Sequence, residues 1–123
     1  MKRGKLYLID WNEASASALA QSLEADGWSV RTETVDGARA VLHMMDDAPD
    51  VVAVDLARLP SHGREAARAV RTAKNLGGTP IVFFGGTDEA RSKAAGAVPD
   101  ATITTPDELP HVLARLVIRS AEG

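Results

Sequence analysis

The sequence predicts an α/β fold, one five-stranded parallel sheet with helices packed on both faces. Three observations predict it. Short apolar runs alternate with helically spaced apolar patterns five times along 123 residues. Most of the runs are continuous, as expected for strands covered on both faces. Acids, glycines or a threonine stand directly after the runs, where strands give way to loops.

The elements follow in order. Leu6–Ile9 (LYLI) reads as the first strand. Asn12 can cap a helix carrying Ala16, Leu19, Ala20 and Leu23 at helical spacing, with Gly27 as its stop. WSVRTETV alternates Trp28, Val30, Thr32 and Thr34 against Ser29, Arg31 and Glu33, which suits a strand nearer an edge. Asp36 opens a second helix carrying Ala38, Val41, Leu42 and Met45. Asp50–Val54 (DVVAV) is the most central strand by composition. A third helix is expected from about Gly63 to Lys74, closed by Gly77 and Gly78. Pro80–Phe84 (PIVFF) makes a fourth strand, followed by Gly85-Gly86 and a short, Ala-rich helix from Thr87 that Gly96 and Pro99 cut. Ala101–Thr104 (ATIT) is a short fifth strand. The last helix carries Leu109, Val112, Leu113, Leu116 and Val117 on one stripe, with Pro110 in its first turn and Asp107 as the expected N-cap.

Strands alternating with helices imply right-handed crossovers, and ligands in such open sheets sit at the carboxyl ends of the strands. That rule selects Asp10, Asp55, Gly85 and Thr105 as one rim.

Composition narrows the function. The chain is 45% hydrophobic and 25% charged, an ordinary globular balance. A net charge of −3 argues against a nucleic-acid binder held mainly by phosphates. The absence of cysteine removes disulfides, thiolate catalysis and cysteine-ligated metal. No apolar run is long enough to cross a bilayer and no signal-peptide layout is present, so a cytoplasmic protein without membrane partners is expected. Residues 1–123 are expected to form one unit.

Five βα units with an acid after the first strand and another after the third resemble the receiver (CheY-like) domain of two-component response regulators. LYLID…ADGWSV is similar to the opening unit of that family, with Asp10 at its first acid and Gly27-Trp28 at its Gly-aromatic pair. VVAVDLARLPSHG resembles the phosphoacceptor strand and loop, with Asp55 at the acceptor and Gly63 at a later glycine. PIVFFGG and ITTPDEL resemble the last two strands with their turns, Pro106 included. The resemblance spans essentially the whole chain. It implies a flavodoxin-like three-layer sandwich, a five-stranded parallel sheet of order 2-1-3-4-5 with five helices.

An active site of that family pairs two acids after the first strand with the acceptor aspartate around Mg²⁺. A Ser or Thr after the fourth strand and a Lys before the proline of the fifth complete it. Clustered carboxylates need a hard cation, and the lysine neutralises the phosphoryl charge. Here Asp10 and Asp55 remain, whereas the resemblance puts Trp11 at the second acid, Gly85 at the hydroxyl and Thr105 at the lysine. Thr102 stands at the switch aromatic, and Leu59 where the family has proline, because Pro60 arrives one residue late.

The resemblance thus implies a degenerate receiver, a pseudo-receiver. It would act in phosphorelay signalling as a protein-interaction module, not as an enzyme, with a histidine kinase, an output domain or itself as partner, a homodimer included. No cofactor is expected, and Mg²⁺, which only Asp10 and Asp55 with help from Asn12 or Glu13 would hold, is disfavoured. Two alternatives stand beside this. One is a working phosphoacceptor at Asp55; the other is a flavodoxin-like domain binding a small anion or nucleotide at the rim. DWNEAS after the first strand speaks against the second, since it places acids and a Trp where phosphate would be cradled.

Two charged sets complete the candidates. Arg64, Arg68 and Arg71 share a face of the third helix, with Arg58 and His62 upstream, and read as a solvated face. Receiver domains pair through the fourth helix, fifth strand and fifth helix, and Arg91, Lys93, Asp100, Arg115 and Arg119 would lie there. Any output activity is expected from another chain or from segments beyond these residues.

Overall fold

In the computed structural model the backbone is described for residues 3–122 and the side chains for residues 3–117. The central strand, β3 (Val51–Asp55), is buried along Val51–Val54 and reaches the rim at Asp55. It pairs in parallel with β1 (Gly4–Ile9) on one side and β4 (Ile81–Phe84) on the other. Beyond these lie β2 (Trp28–Glu33) and β5 (Thr102–Thr104), giving the order β2-β1-β3-β4-β5. The expected flavodoxin-like sheet and its strand order are therefore present.

Alternate residues divide between two cores, because successive strand side chains point to opposite faces. Leu6 and Leu8 of β1, with Val51, Ala53, Val82 and Phe84, pack under α1 (Glu13–Ala25) and α5 (Leu109–Glu122). Tyr7 and Ile9, with Val52, Val54 and Phe83, pack under α2 (Gly37–Asp46), α3 (Pro60–Thr72) and α4 (Asp88–Ala97). Leu23 and Leu113 are fully buried. Burial of such a side chain contributes about 1.5–3 kcal/mol.

Caps act where expected on the first three α helices that have one. Asn12 accepts from Ser15 N, Asp36 from Ala38 N and Arg39 N, and Thr87 from Ala90 N. The start of α5 differs. The helix begins at Leu109 with Pro110 next, and the turn ahead of it is held by Thr105, whose Oγ1 accepts from Glu108 N at 3.2 Å. Asp107 lies inside that turn.

Helix α3 begins at Pro60, three residues before the expected start, because proline is well placed at a first helical position. Leu59 precedes it at φ 46, a left-handed conformation costly for a branched side chain, and offers no side-chain cap. Gly63 falls inside the helix, where an added Cβ would stand 2.9 Å from Val54 Cγ1, so glycine permits close packing of helix on strand. The helix ends at Thr72, and Asn75, not Gly77 or Gly78, takes the left-handed turn conformation.

Two burial patterns depart from the periodicity. Glu33, expected on the outer side of β2, is buried. In α2, Ala40 and Met44 are buried and Val41 packs half-buried against the core as expected, whereas Ala38, Leu42 and Met45 face solvent. The helix carries two apolar stripes, and spacing alone selects the richer one. The stripe that packs is the one beside Gly37, where α2 approaches Ala66 of α3 so closely that an added Cβ would meet its Cβ at 3.2 Å.

Candidate functional site

The carboxyl ends of β1, β3 and β4 and the turn after β5 form one rim, and the sequence-predicted residues meet there unequally. Asp10 is buried at the tip of β1. Its Oδ1 accepts from Asn12 N at 3.0 Å and its Oδ2 from the Ser15 hydroxyl at 2.7 Å. Ser15 was not foreseen. The signal was a hydroxyl one turn into a helix that begins beside a buried acid.

Asp55 is half-buried next to it, with Oδ1 accepting from Ala57 N at 2.8 Å. Burial pushes the Asp55 carboxyl above its usual range, and the Asp10 carboxylate adds to the rise against the opposing Ala57 N–H. Two carboxyls, Asp10 and Asp55, thus share the rim and repel each other.

The other positions lie around this pair. Gly85 has φ 72, and an added Cβ would stand 3.1 Å from Asp55 Oδ1 and 3.9 Å from Pro106 Cγ. A side chain there would address Asp55 directly, yet glycine places none. Gly86 has φ 78, and a Cβ would meet Leu56 Cβ and O at 2.8 Å. These two positive angles account for the glycine pair. Thr105 is exposed and its hydroxyl is engaged in the α5 turn.

Trp11 turns away from the acids. Its ring is 8% exposed and joins the core under α2 and α3. It meets His62 edge-on at 6.2 Å and lines a notch of about 330 Å³ with Gly37, Ala38, Ala66 and Ala69. Its Nε1 is buried without a hydrogen-bond partner.

Asn12 Oδ1 is used by the α1 cap and Glu13 is exposed in the first turn. Among the described residues, no group of three or more His, Asp or Glu side chains is arranged to hold a metal ion.

The charged set on α4, β5 and α5 is already partly engaged. Arg91 folds back on the β4–α4 turn, donating from Nη1 to Gly86 O at 2.5 Å and pairing with Asp88. Lys93 pairs with Glu89 at 3.0 Å. Asp100 receives Arg71 of α3, which also donates to Thr79 O at 2.6 Å, so Arg71 leaves the predicted arginine face. Arg115 is exposed. The Arg119 side chain lies outside the described residues.

A polar cluster missed by the sequence reading fastens the neighbouring loop. Glu33 accepts from Val35 N and Asp36 N at 2.9 Å and binds Arg39 through two 2.7 Å contacts. The Arg39 guanidinium holds its carboxyl down at about 2. No local pattern announces this pair, since Glu33 ends a strand and Arg39 begins a helix. Nearby, Tyr7 is hydrogen-bonded to His43 at 2.9 Å, and burial pushes its phenol up to about 12.

No protein-family model matches the chain, and no curated protein matches it in sequence. Solved structures do match. The chemotaxis protein CheY4 of Vibrio cholerae is 22% identical with a TM-score of 0.73, covering 94% of this chain and 96% of that one. The receiver domain of the Francisella response regulator 1452 is 18% identical with a TM-score of 0.77, covering 95% and 98%. NtrX from Brucella abortus, solved with ADP, is 21% identical with a TM-score of 0.78, and the match takes in 98% of this chain but 27% of that one. These likenesses establish architecture, and the chain has the fold of response-regulator receiver domains.

Proposed function

We propose that the chain is an atypical, receiver-like module of two-component signalling that works by protein–protein contact and is not phosphorylated on Asp55 with Mg²⁺. The observation that carries this reading is the engagement of the rim. Both Asp10 oxygens already accept internal hydrogen bonds, and the neighbouring acid that Asp10 acts on is Asp55. The side chain after Asp10 is an indole packed into the core.

This donor set does not fit Mg²⁺, which requires near-octahedral oxygen ligation. The groups that would stabilise a transferred phosphoryl are missing too. Gly85 brings no hydroxyl beside Asp55, and Thr105 brings no cation. Losing one such electrostatic contribution commonly costs about 3 kcal/mol of transition-state stabilisation. On this reading the protein is not an enzyme, has no cofactor, acts in the cytoplasm, and presents a surface to a histidine kinase, an output domain or a second copy.

The test is incubation with acetyl phosphate and Mg²⁺, read by intact mass beside Asp55→Asn. An unchanged mass is expected. A gain of one phosphoryl group that disappears in Asp55→Asn overturns the reading. Saturable quenching of tryptophan fluorescence by Mg²⁺ at physiological concentration would overturn the metal part of it.

A further inference from the structure

Helix α2 exposes apolar residues that a surface helix ordinarily hides. Leu42 is 65% exposed and Met45 53%, and Val35, in the bend just ahead of the helix, is 76% exposed. Within the helix Ala38, also exposed, Leu42 and Met45 stand at spacings of four and three residues, the spacing of a coiled-coil seam. The buried side of the same helix is a separate stripe, Ala40 and Met44. The seam is therefore left over after the fold has closed.

The flank of this seam carries charges in a self-matching order. Arg39 and Asp46 lie seven residues apart, both exposed on one side of the stripe. When two such helices pair antiparallel, like flanks face each other. Arg39 of one copy then meets Asp46 of its partner, and the reverse, about a two-fold axis. That axis falls between Leu42 and Met45, which brings Leu42 of each copy against Met45 of the other. A parallel pairing would set this flank against the opposite, uncharged flank of the partner and leave Arg39 and Asp46 unmatched.

We propose that α2 is a homodimerisation surface, pairing antiparallel with α2 of a second copy through Leu42 and Met45, with Arg39 facing Asp46 across the seam. Arg39 keeps its bond to Glu33 in this arrangement, since its side chain remains 52% exposed with that bond made. The helix has ten residues, about 15 Å of seam. So short a contact makes a weak, concentration-dependent dimer. The pairing stands whether or not Asp55 accepts a phosphoryl group, and it uses a different face from α4, β5 and α5.

Sedimentation velocity of the full chain from about 10 µM to ~1 mM, the range of weak complexes, tests it. The expected result is a rise from 13.0 kDa toward twice that mass. The rise is expected to vanish in Leu42→Glu/Met45→Glu with the circular dichroism unchanged. It should weaken severalfold in Asp46→Arg, and stay in Arg115→Glu. The Asp46→Arg result decides alone if the double variant fails to fold. A wild-type chain that stays monomeric overturns the pairing and leaves the stripe to a partner of different sequence. A dimer that persists in the folded double variant, or is lost in Arg115→Glu alone, overturns it in favour of another face.

Discussion

Glu33→Gln tests whether the buried carboxylate at the end of β2 sets the position of α2. The folded carboxyl titrates at about 2 against an ordinary value of 4.5, chiefly through its hydrogen bonds to Arg39. Taken at face value that difference corresponds to about 3 kcal/mol at neutral pH. Arg39 is 52% exposed, so solvent screening brings the contribution to about 1–2 kcal/mol. The folded value lies below the unfolded one. The stabilisation is therefore complete above the unfolded value and is lost as pH falls from there toward about 2. Urea unfolding of both proteins between neutral and strongly acid pH measures it. The variant should be weaker by about 1–2 kcal/mol at pH 7, with a melting temperature lower by roughly 5–10 °C, and the gap should close in acid. A gap that is absent at pH 7, or that persists unchanged at pH 2.5, refutes the reasoning. The outcome bears on function because the same carboxylate holds the N–H groups of Val35 and Asp36, just ahead of the exposed stripe of α2.

Three further outcomes follow from the rim. Asp55→Asn should raise stability at pH 7 by about 1 kcal/mol, measured by urea midpoint, because burial and Asp10 both oppose the charged form. The folded carboxyl is held above its unfolded value, so this advantage should shrink as pH falls and protonation relieves the wild type; a destabilised variant would contradict it. Gly86→Ala forces a Cβ to within 2.8 Å of the Leu56 carbonyl at φ 78, and a thermal melt should show a loss of about 2–4 kcal/mol, with an unchanged melting temperature counting against the turn geometry. Trp11→Phe removes ring area but also a buried N–H without a partner, so its stability should stay within about 1 kcal/mol of wild type; a loss above about 3 kcal/mol would mean that the indole N–H is bonded.

What could be read in advance follows the range of the interactions. The five βα units were legible because strand runs, caps and glycine turns are local, and Asn12, Asp36 and Thr87 cap as their residue types suggest. Strand order came from resemblance, since periodicity does not say which strands are neighbours. In α2 only Val41 of the expected stripe packs inward, because Ala38, Leu42 and Met45 lie on a second apolar stripe that faces outward, and the approach to Ala66 decides which stripe is buried. At the rim, the strand-end acids were legible from position alone. The Ser15 and Arg91 roles were not, because each depends on where a side chain turns after its helix is placed.

The rim also explains how such a fold keeps two acids side by side. A parallel sheet brings its strand ends together whatever side chains they bear. Two carboxyls placed there repel, and the repulsion must be met by an ion, a proton or hydrogen bonds. Here Asp10 is met by Asn12 N and the Ser15 hydroxyl, and Asp55 by Ala57 N together with a raised affinity for protons. Trp11, Arg91 and Thr105 meanwhile pack the core, hold the β4–α4 turn and cap the α5 turn. Each of these contacts ties a loop to its own neighbourhood, so moving the rim would break several at once. A surface meant for docking benefits from that fixity, since a partner then meets loops already ordered and loses less freedom on binding. A phosphorylation switch needs the opposite, a rim with two arrangements of nearly equal free energy. On the function proposed above, the contacts of Asp10, Asp55, Arg91 and Thr105 favour one.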